Sequence, residues 1–158
     1  MTKEYDIALA KFHQKSKIIP IPLISWDLFS LQQMEFTHFS SIQKQWKAKV
    51  NYFTENEVMI VTNTNFEIVF ASKNIFQMNG YHSKEVIGKT PKMFQGRLTS
   101  RNTLDKIKVA TSKQLSFNEV ITNYKKDGSI YECEIKGVPK FNSKGILINY
   151  IAFERIAS

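Results

Sequence analysis

Residues 57–72 read EVMIVTNTNFEIVFAS. Two short runs, EVMIVTN and FEIVFAS, are rich in β-branched and aromatic side chains and flank the polar turn Asn63-Thr64-Asn65. Such residues suit a pleated, half-buried surface, and the polar break between them reads as a hairpin. The chain changes character at this stretch. Ahead of it the apolar spacing is helical, and behind it strands return only after a run of short helices.

Toward the C-terminus, residues 73–88 predict short helical pieces, broken at Asn79-Gly80 and closed by Gly88 at a helix end. Residues 99–114, TSRNTLDKIKVATSKQ, read as one helix with Leu104, Ile107 and Val109 or Ala110 turned inward. Three strands follow: LSFNEVITNY, SIYECEIKGVPKF and GILINYIAFERI. Asp127-Gly128 and Asn142-Ser143-Lys144-Gly145 join them as tight turns. Two strands, several helices and three strands make an α+β domain, an antiparallel sheet with its helices gathered on one face.

Toward the N-terminus, Tyr5, Leu9 and Phe12 predict a small amphipathic helix over 3–16, and Pro20 and Pro22 impose an extended passage. Ser25 suits the N-cap of WDLFSLQQMEF, and Ser40 with Gln43 suits a capping box ahead of IQKQWKAKVNYF. Ile42, Trp46, Val50 and Phe53 form an apolar stripe on that second segment. The expected division is a helical extension over 1–53, a possible dimer or partner interface, and a compact domain over 54–158.

A chain of 158 residues, 42% hydrophobic with twelve phenylalanines, can bury a core of ordinary size. Its formal charge of +8 would suit a polyanion, but the lysines are scattered, with Lys44, Lys47 and Lys49 the densest group. No basic stripe interleaves with aromatics, so no nucleic-acid partner is expected. The single cysteine, Cys133, excludes an internal disulfide and a cysteine-cluster zinc site. The N-terminus carries charges where a signal peptide needs an apolar core, and IIPIPLI is too short and too broken by proline to span a bilayer. The expectation is a cytoplasmic protein with no membrane insertion.

IVFASKNIFQMNGYHSKEVIGK (68–89) and NYKKDGSIYECEI (123–135), in this order of elements, resemble the PAS family over residues 57–156. The resemblance implies a five-stranded antiparallel sheet of spatial order 2-1-5-4-3, with helices enclosing a pocket against its inner face. Within that family GKTPKMFQG, residues 88–96, is similar to the flavin-binding loop of LOV photoreceptors, G-x-N-C-R-F-L-Q. Gly88 and Gln95 match the motif, Lys92 stands at its arginine, Thr90 at its asparagine, and Pro91 at the cysteine that bonds to the flavin. Asn123 matches an asparagine of the next strand. Cys133 falls at a second asparagine, Glu154 at a glutamine of the last strand, and Lys108 at a phosphate-contacting arginine. Proline has no thiol, so the resemblance implies no adduct photochemistry at Pro91. Cys133 is expected on a strand, facing the pocket.

Haem in this family is usually held by a histidine of the long helix, and residues 99–114 contain none. His13, His38 and His82 are too dispersed for a metal site, and no nucleophile, base and orienting group recur at a familiar spacing, so no enzyme is expected. Two functional readings follow. One is a stand-alone PAS sensory or protein-interaction module that acts through a homodimer or a signalling partner, using the apolar residues Trp26, Phe29, Trp46, Val50 and Phe53. The other is a blue-light or redox sensor holding FMN, without an adduct, through Gln95, Asn123, Lys92 and Lys108, with Thr90, Cys133 and Glu154 also at the pocket. The pocket could instead be packed shut by Phe66, Phe70, Phe76, Met78 and Met93.

Overall fold

The structure, a computed structural model, describes residues 23–50 and 56–158. The helix expected over 3–16, the Pro20–Pro22 passage and Phe53 lie outside the described residues. By its contacts the chain divides into the units Met1–Phe36 and Thr37–Ser158, so the expected boundary at 53 and 54 falls inside the second.

Helix α1, Leu23–Ile42, begins ahead of Ser25 and runs through Ser40 without a break, so neither serine caps a helix start. It tightens into one 3-10 turn, Gln43–Gln45, and Trp46 is already extended at φ −77° and ψ 133°. The second helix expected from IQKQWKAKVNYF therefore does not form. Tertiary partners outbid its local propensity. The Trp46 indole donates to Asn149 Oδ1 at 2.9 Å, the Lys47 amide to the Phe141 carbonyl at 2.8 Å, and the Val50 amide to Gln43 Oε1 at 3.1 Å.

The sheet comprises β1 Val58–Thr62, β2 Ile68–Ala71, β3 Phe117–Tyr124, β4 Ile130–Phe141 and β5 Leu147–Ile156. Its order is β2-β1-β5-β4-β3, with every pair antiparallel, as expected. Asp127 Oδ1 accepts from the Ser129 amide at 2.9 Å, and Gly128 takes φ +86°, a conformation that favours glycine, so the β3–β4 turn closes as its residues predict.

Alternation along β1 separates two cores. Val58 and Ile60 face inward with Ile68, Val86, Phe94, Ile121, Tyr131 and Cys133. Met59 and Val61 face outward and join Phe39, Trp46, Phe70 and Ile151. The short helices α2 Ile75–Asn79 and α3 Ser83–Val86, the 3-10 turn Pro91–Phe94 and helix α4 Arg101–Ser112 follow β2, and Met78, Val86, Phe94, Leu104 and Ile107 pack into the inner core. Residues 39–50 supply the cover of the outer core. Trp46 and Val50, two members of the stripe expected at a partner interface, thus pack within the domain.

Candidate functional site

Pro91 decides how the 88–96 loop is shaped. A residue before proline is pushed toward extended geometry, and Thr90 takes φ −102° and ψ 154°. Proline then opens the 3-10 turn, where no backbone donor is needed. The loop is held at its start by the Ile68 amide donating to the Lys89 carbonyl at 2.7 Å and the Gly88 amide to the Ile68 carbonyl at 2.8 Å. Fully buried Phe94 anchors its middle, edge-on to Tyr81 at 5.7 Å between centroids. At its end the Thr99 hydroxyl donates to the Thr122 carbonyl at 2.7 Å, and the Leu98 amide donates to the Tyr124 hydroxyl at 3.0 Å. Gly96 lies so close to the Tyr124 ring that an added Cβ would sit 2.5 Å from Cε2.

Between this loop, helix α4 and the inner face of the sheet lies a cavity of about 510 Å³. Ile60, Ile121, Ile135, Ala152, Leu104, Ile107 and Phe94 give it apolar walls. Ser100 caps α4, accepting from the Thr103 amide at 3.3 Å. The Tyr150 hydroxyl donates to the Thr111 carbonyl at 2.7 Å and ties the other end of the helix to β5. Leu104 and Ile107 turn toward the cavity, as expected, while Val109 is exposed and Ala110 does not line the cavity. Gly137 leaves room for the Phe117 ring on β4, since a Cβ there would stand 2.2 Å from Phe117 Cε1.

Six of the seven candidate residues lie on this cavity: Thr90, Lys92 and Gln95 from the loop, Lys108 from α4, Asn123 from β3 and Glu154 from β5. Pro91 lines it too. Cys133 does not reach the wall. It is fully buried in the inner core behind Glu154, with its Sγ 3.7 Å from Glu154 Oε2. The packed-shut alternative fails for a geometric reason. Phe70 faces the outer core, Phe76 is exposed and stacks on His82, Met78 and Met93 join the inner core, and only Phe66 of the five lines the cavity.

The site's electrostatics are set by burial. Glu154 is 4% exposed, and desolvation raises its carboxyl to about 7, with the Cys133 thiol opposing weakly. Burial, and then the neighbouring Glu154, push the Cys133 thiol far above its ordinary value. A thiol so held is an inert small side chain rather than a nucleophile. The Tyr131 hydroxyl is raised by burial first, then by Cys133 and Glu154, and has no hydrogen bond of good geometry among the described residues.

Thr62 was not among the sequence candidates. It lines the cavity, is buried, and its Oγ1 has no hydrogen-bond partner among the described residues. Its period-two spacing from Val58 and Ile60 was the available signal. Phe66 also lines the cavity, with φ +62°, unusual for a bulky side chain, and stacks on Tyr150 at 5.7 Å. Thr62 further connects the two faces, since Asn149, which accepts from Trp46, donates to the Thr62 carbonyl at 3.0 Å. Among the described residues no three metal-ligating side chains converge, and no helix is long and apolar enough to cross a membrane.

A family model described as PAS domain matches residues 56–155. Phototropin-1B of Oryza sativa subsp. japonica is similar at 29% identity over 124 residues, which are 78% of this chain and 14% of that protein. Protein TWIN LOV 1 of Arabidopsis thaliana is 35% identical over 88 residues, 55% of this chain and 22% of that protein. The chain thus spans a small part of the length of these relatives. In fold it is similar to the light-state structure of the blue-light photoreceptor Aureochrome1 LOV, with a TM-score of 0.62 at 24% identity over 66% of this chain and 84% of that one.

Proposed function

The chain belongs to the PAS domain family, and we propose that it is a sensory module whose signal is read by a small molecule seated in the cavity beneath the sheet. One observation carries this reading. Polar side chains from the loop, α4, β3 and β5, far apart in sequence, converge on one cavity of about 510 Å³ with apolar walls. Known ligand sites run from roughly 300 to 1,000 Å³ and share this plan of apolar lining with a few placed polar groups.

A flavin fits the donor set. The Gln95 and Asn123 carboxamides and the Glu154 carboxyl would address the polar edge of its ring, and Lys92 and Lys108 would act as point charges for a phosphate. When bound, it supplies blue-light absorption and electron exchange. What this chain's residues contribute is position, apolar enclosure and proton-bearing groups. Pro91 offers no thiol, and Cys133 lies behind Glu154, so the response we propose involves no bond between flavin and cysteine.

The test is to refold the protein in excess FMN, remove free ligand and record the absorption spectrum. Retained flavin at near one per chain is expected. A colourless protein after that treatment overturns the flavin assignment. Output would pass to self-association or to a signalling partner rather than to catalysis by this chain. Light scattering of the full chain over a concentration series, with and without flavin, checks the self-association branch. A strict monomer in both series removes it.

A further inference from the structure

Glu154 sits at an inner corner of the cavity. It faces Ile135 across β4 and Val58 across β1 in the sheet register, and it lines the cavity while almost wholly buried. Its one hydrogen-bond partner among the described residues is the Cys133 thiol, a weak donor at 3.7 Å, and it takes part in no ion pair there.

The neighbours offer no compensation for a negative charge. From β4 the titratable groups facing it are Cys133 and Tyr131, both acids that burial holds protonated, and β3 contributes the neutral carboxamide of Asn123. β1 contributes Val58 and Ile60. The charged groups lining the cavity are Lys92 from the loop and Asp105 and Lys108 from α4, all exposed to solvent. An ionised carboxylate at Glu154 would be desolvated without a counter-charge. The neutral carboxyl is the form this surrounding tolerates, and it carries one donor and one acceptor.

We propose that Glu154 works as a protonated carboxyl that donates to the ligand, so that the cavity selects an uncharged hydrogen-bond acceptor at this corner and couples its occupancy to a bound proton. The assignment rests on the cavity being a ligand site. Burial raising the carboxyl to about 7 agrees with it and places the coupling near neutrality. Four residues along β5, roughly 13 Å away, Tyr150 pairs with Thr62, whose hydroxyl, without a hydrogen-bond partner among the described residues, marks the opposite end of the cavity. The ligand is therefore addressed by polar groups at both ends with apolar walls between. A cationic ligand would demand the ionised carboxylate and would bind more tightly as pH rises. The acceptor-bearing ligand binds less tightly as pH rises, so the sign of the pH dependence separates the two.

Two measurements on the full chain test this. Difference infrared spectra of wild type against Glu154→Gln, without ligand, are recorded at about pH 6 and about pH 9. A protonated carboxyl C=O band at the lower pH that vanishes at the higher is expected. A carboxylate band at both overturns the proton assignment whatever the cavity binds. FMN and riboflavin are then titrated by fluorescence into both proteins at both pH values. Wild type should lose about tenfold or more in affinity on going to the higher pH, and Glu154→Gln less than about twofold. Wild-type affinity that is unchanged or tighter at the higher pH overturns the proposal. Absence of flavin binding to either protein overturns the flavin reading. The infrared band distinguishes that failure from this one, because a carbonyl band at the lower pH supports the proton on Glu154 independently of any ligand.

Discussion

The two faces of the one sheet are finished differently. On the outer face Phe39 meets Trp46 edge-on at 5.9 Å and Phe70 at 5.2 Å, and the one indole donor is satisfied by Asn149. On the inner face a cavity of about 510 Å³ remains, with a buried carboxyl on its wall and a threonine hydroxyl that has no hydrogen-bond partner among the described residues. Leaving that space unfilled forgoes packing contacts of the kind the outer face makes. Buried polar atoms without partners would add to the cost. The outer face is packed tightly, and the inner face leaves the space on which the proposed ligand-binding reading rests.

Truncating the outer core should give the largest effect. Phe39→Ala or Trp46→Ala should lower unfolding free energy by about 3–5 kcal/mol in urea titrations, while flavin affinity of the still-folded fraction stays near wild type. Loss of ligand binding in both variants would break the separation of the faces, and loss in Trp46→Ala alone would point to the Trp46–Asn149–Thr62 hydrogen-bond chain as a coupling route.

The next effect in size belongs to Glu154. Burial raises its carboxyl to about 7, so the native state holds the proton more tightly than the unfolded chain does. The stability this confers is complete below the ordinary carboxyl value of 4.5 and is lost as pH rises through about 7. Wild type should lose on the order of 3 kcal/mol across that window. Glu154→Gln should lack that slope and be the more stable protein at about pH 8.5. Parallel stability curves for the two proteins would show that Glu154 is not desolvated in solution.

Gly137→Ala sharpens the comparison from inside the cavity. Its Cβ would collide with Phe117, so the ring must leave the β4 surface and enter the cavity space. A cost of about 1–3 kcal/mol is expected together with weakened ligand binding, read by thermal unfolding and titration. Smallest is Asn142→Ala at the β4–β5 turn, where Asn142 Oδ1 accepts from the Lys144 amide at 2.9 Å and the Ile146 amide at 3.0 Å. About 1 kcal/mol should be lost with no change in ligand affinity, which makes it the control for a change remote from both faces.

Much of this was legible in the chain. Turn chemistry at Asp127-Gly128 and Asn142, period-two alternation in EVMIVTN and the helical spacing of Leu104 and Ile107 are local properties, and each element formed where its residues placed it. The family resemblance pointed to seven candidate site residues, three from the 88–96 loop and four from α4, β3, β4 and β5, and six of them lie on one cavity. Where local reading failed, a distant partner was responsible. The Ser40 capping box is a valid local signal, but Trp46 is drawn onto the sheet by Asn149, 103 residues later, and the second helix is lost to that contact. Thr62 reads in sequence as the polar end of a strand, and nothing local announces that its hydroxyl is enclosed with no hydrogen-bond partner among the described residues.

By itself the sequence determined the strands, the turns, the α+β class and the absence of a thiol at Pro91, because each depends on covalent structure or on neighbours a few residues apart. Only the tertiary structure decided that Cys133 stands behind Glu154 rather than on the cavity wall, that Trp46 belongs to the domain core, and that Glu154 is enclosed with no ion-pair partner among the described residues. Those outcomes turn on which strands lie side by side and in what register. Shifting β4 against β5 by one residue would turn Cys133 to the other face, and the pairing that fixes it is a property of the whole sheet.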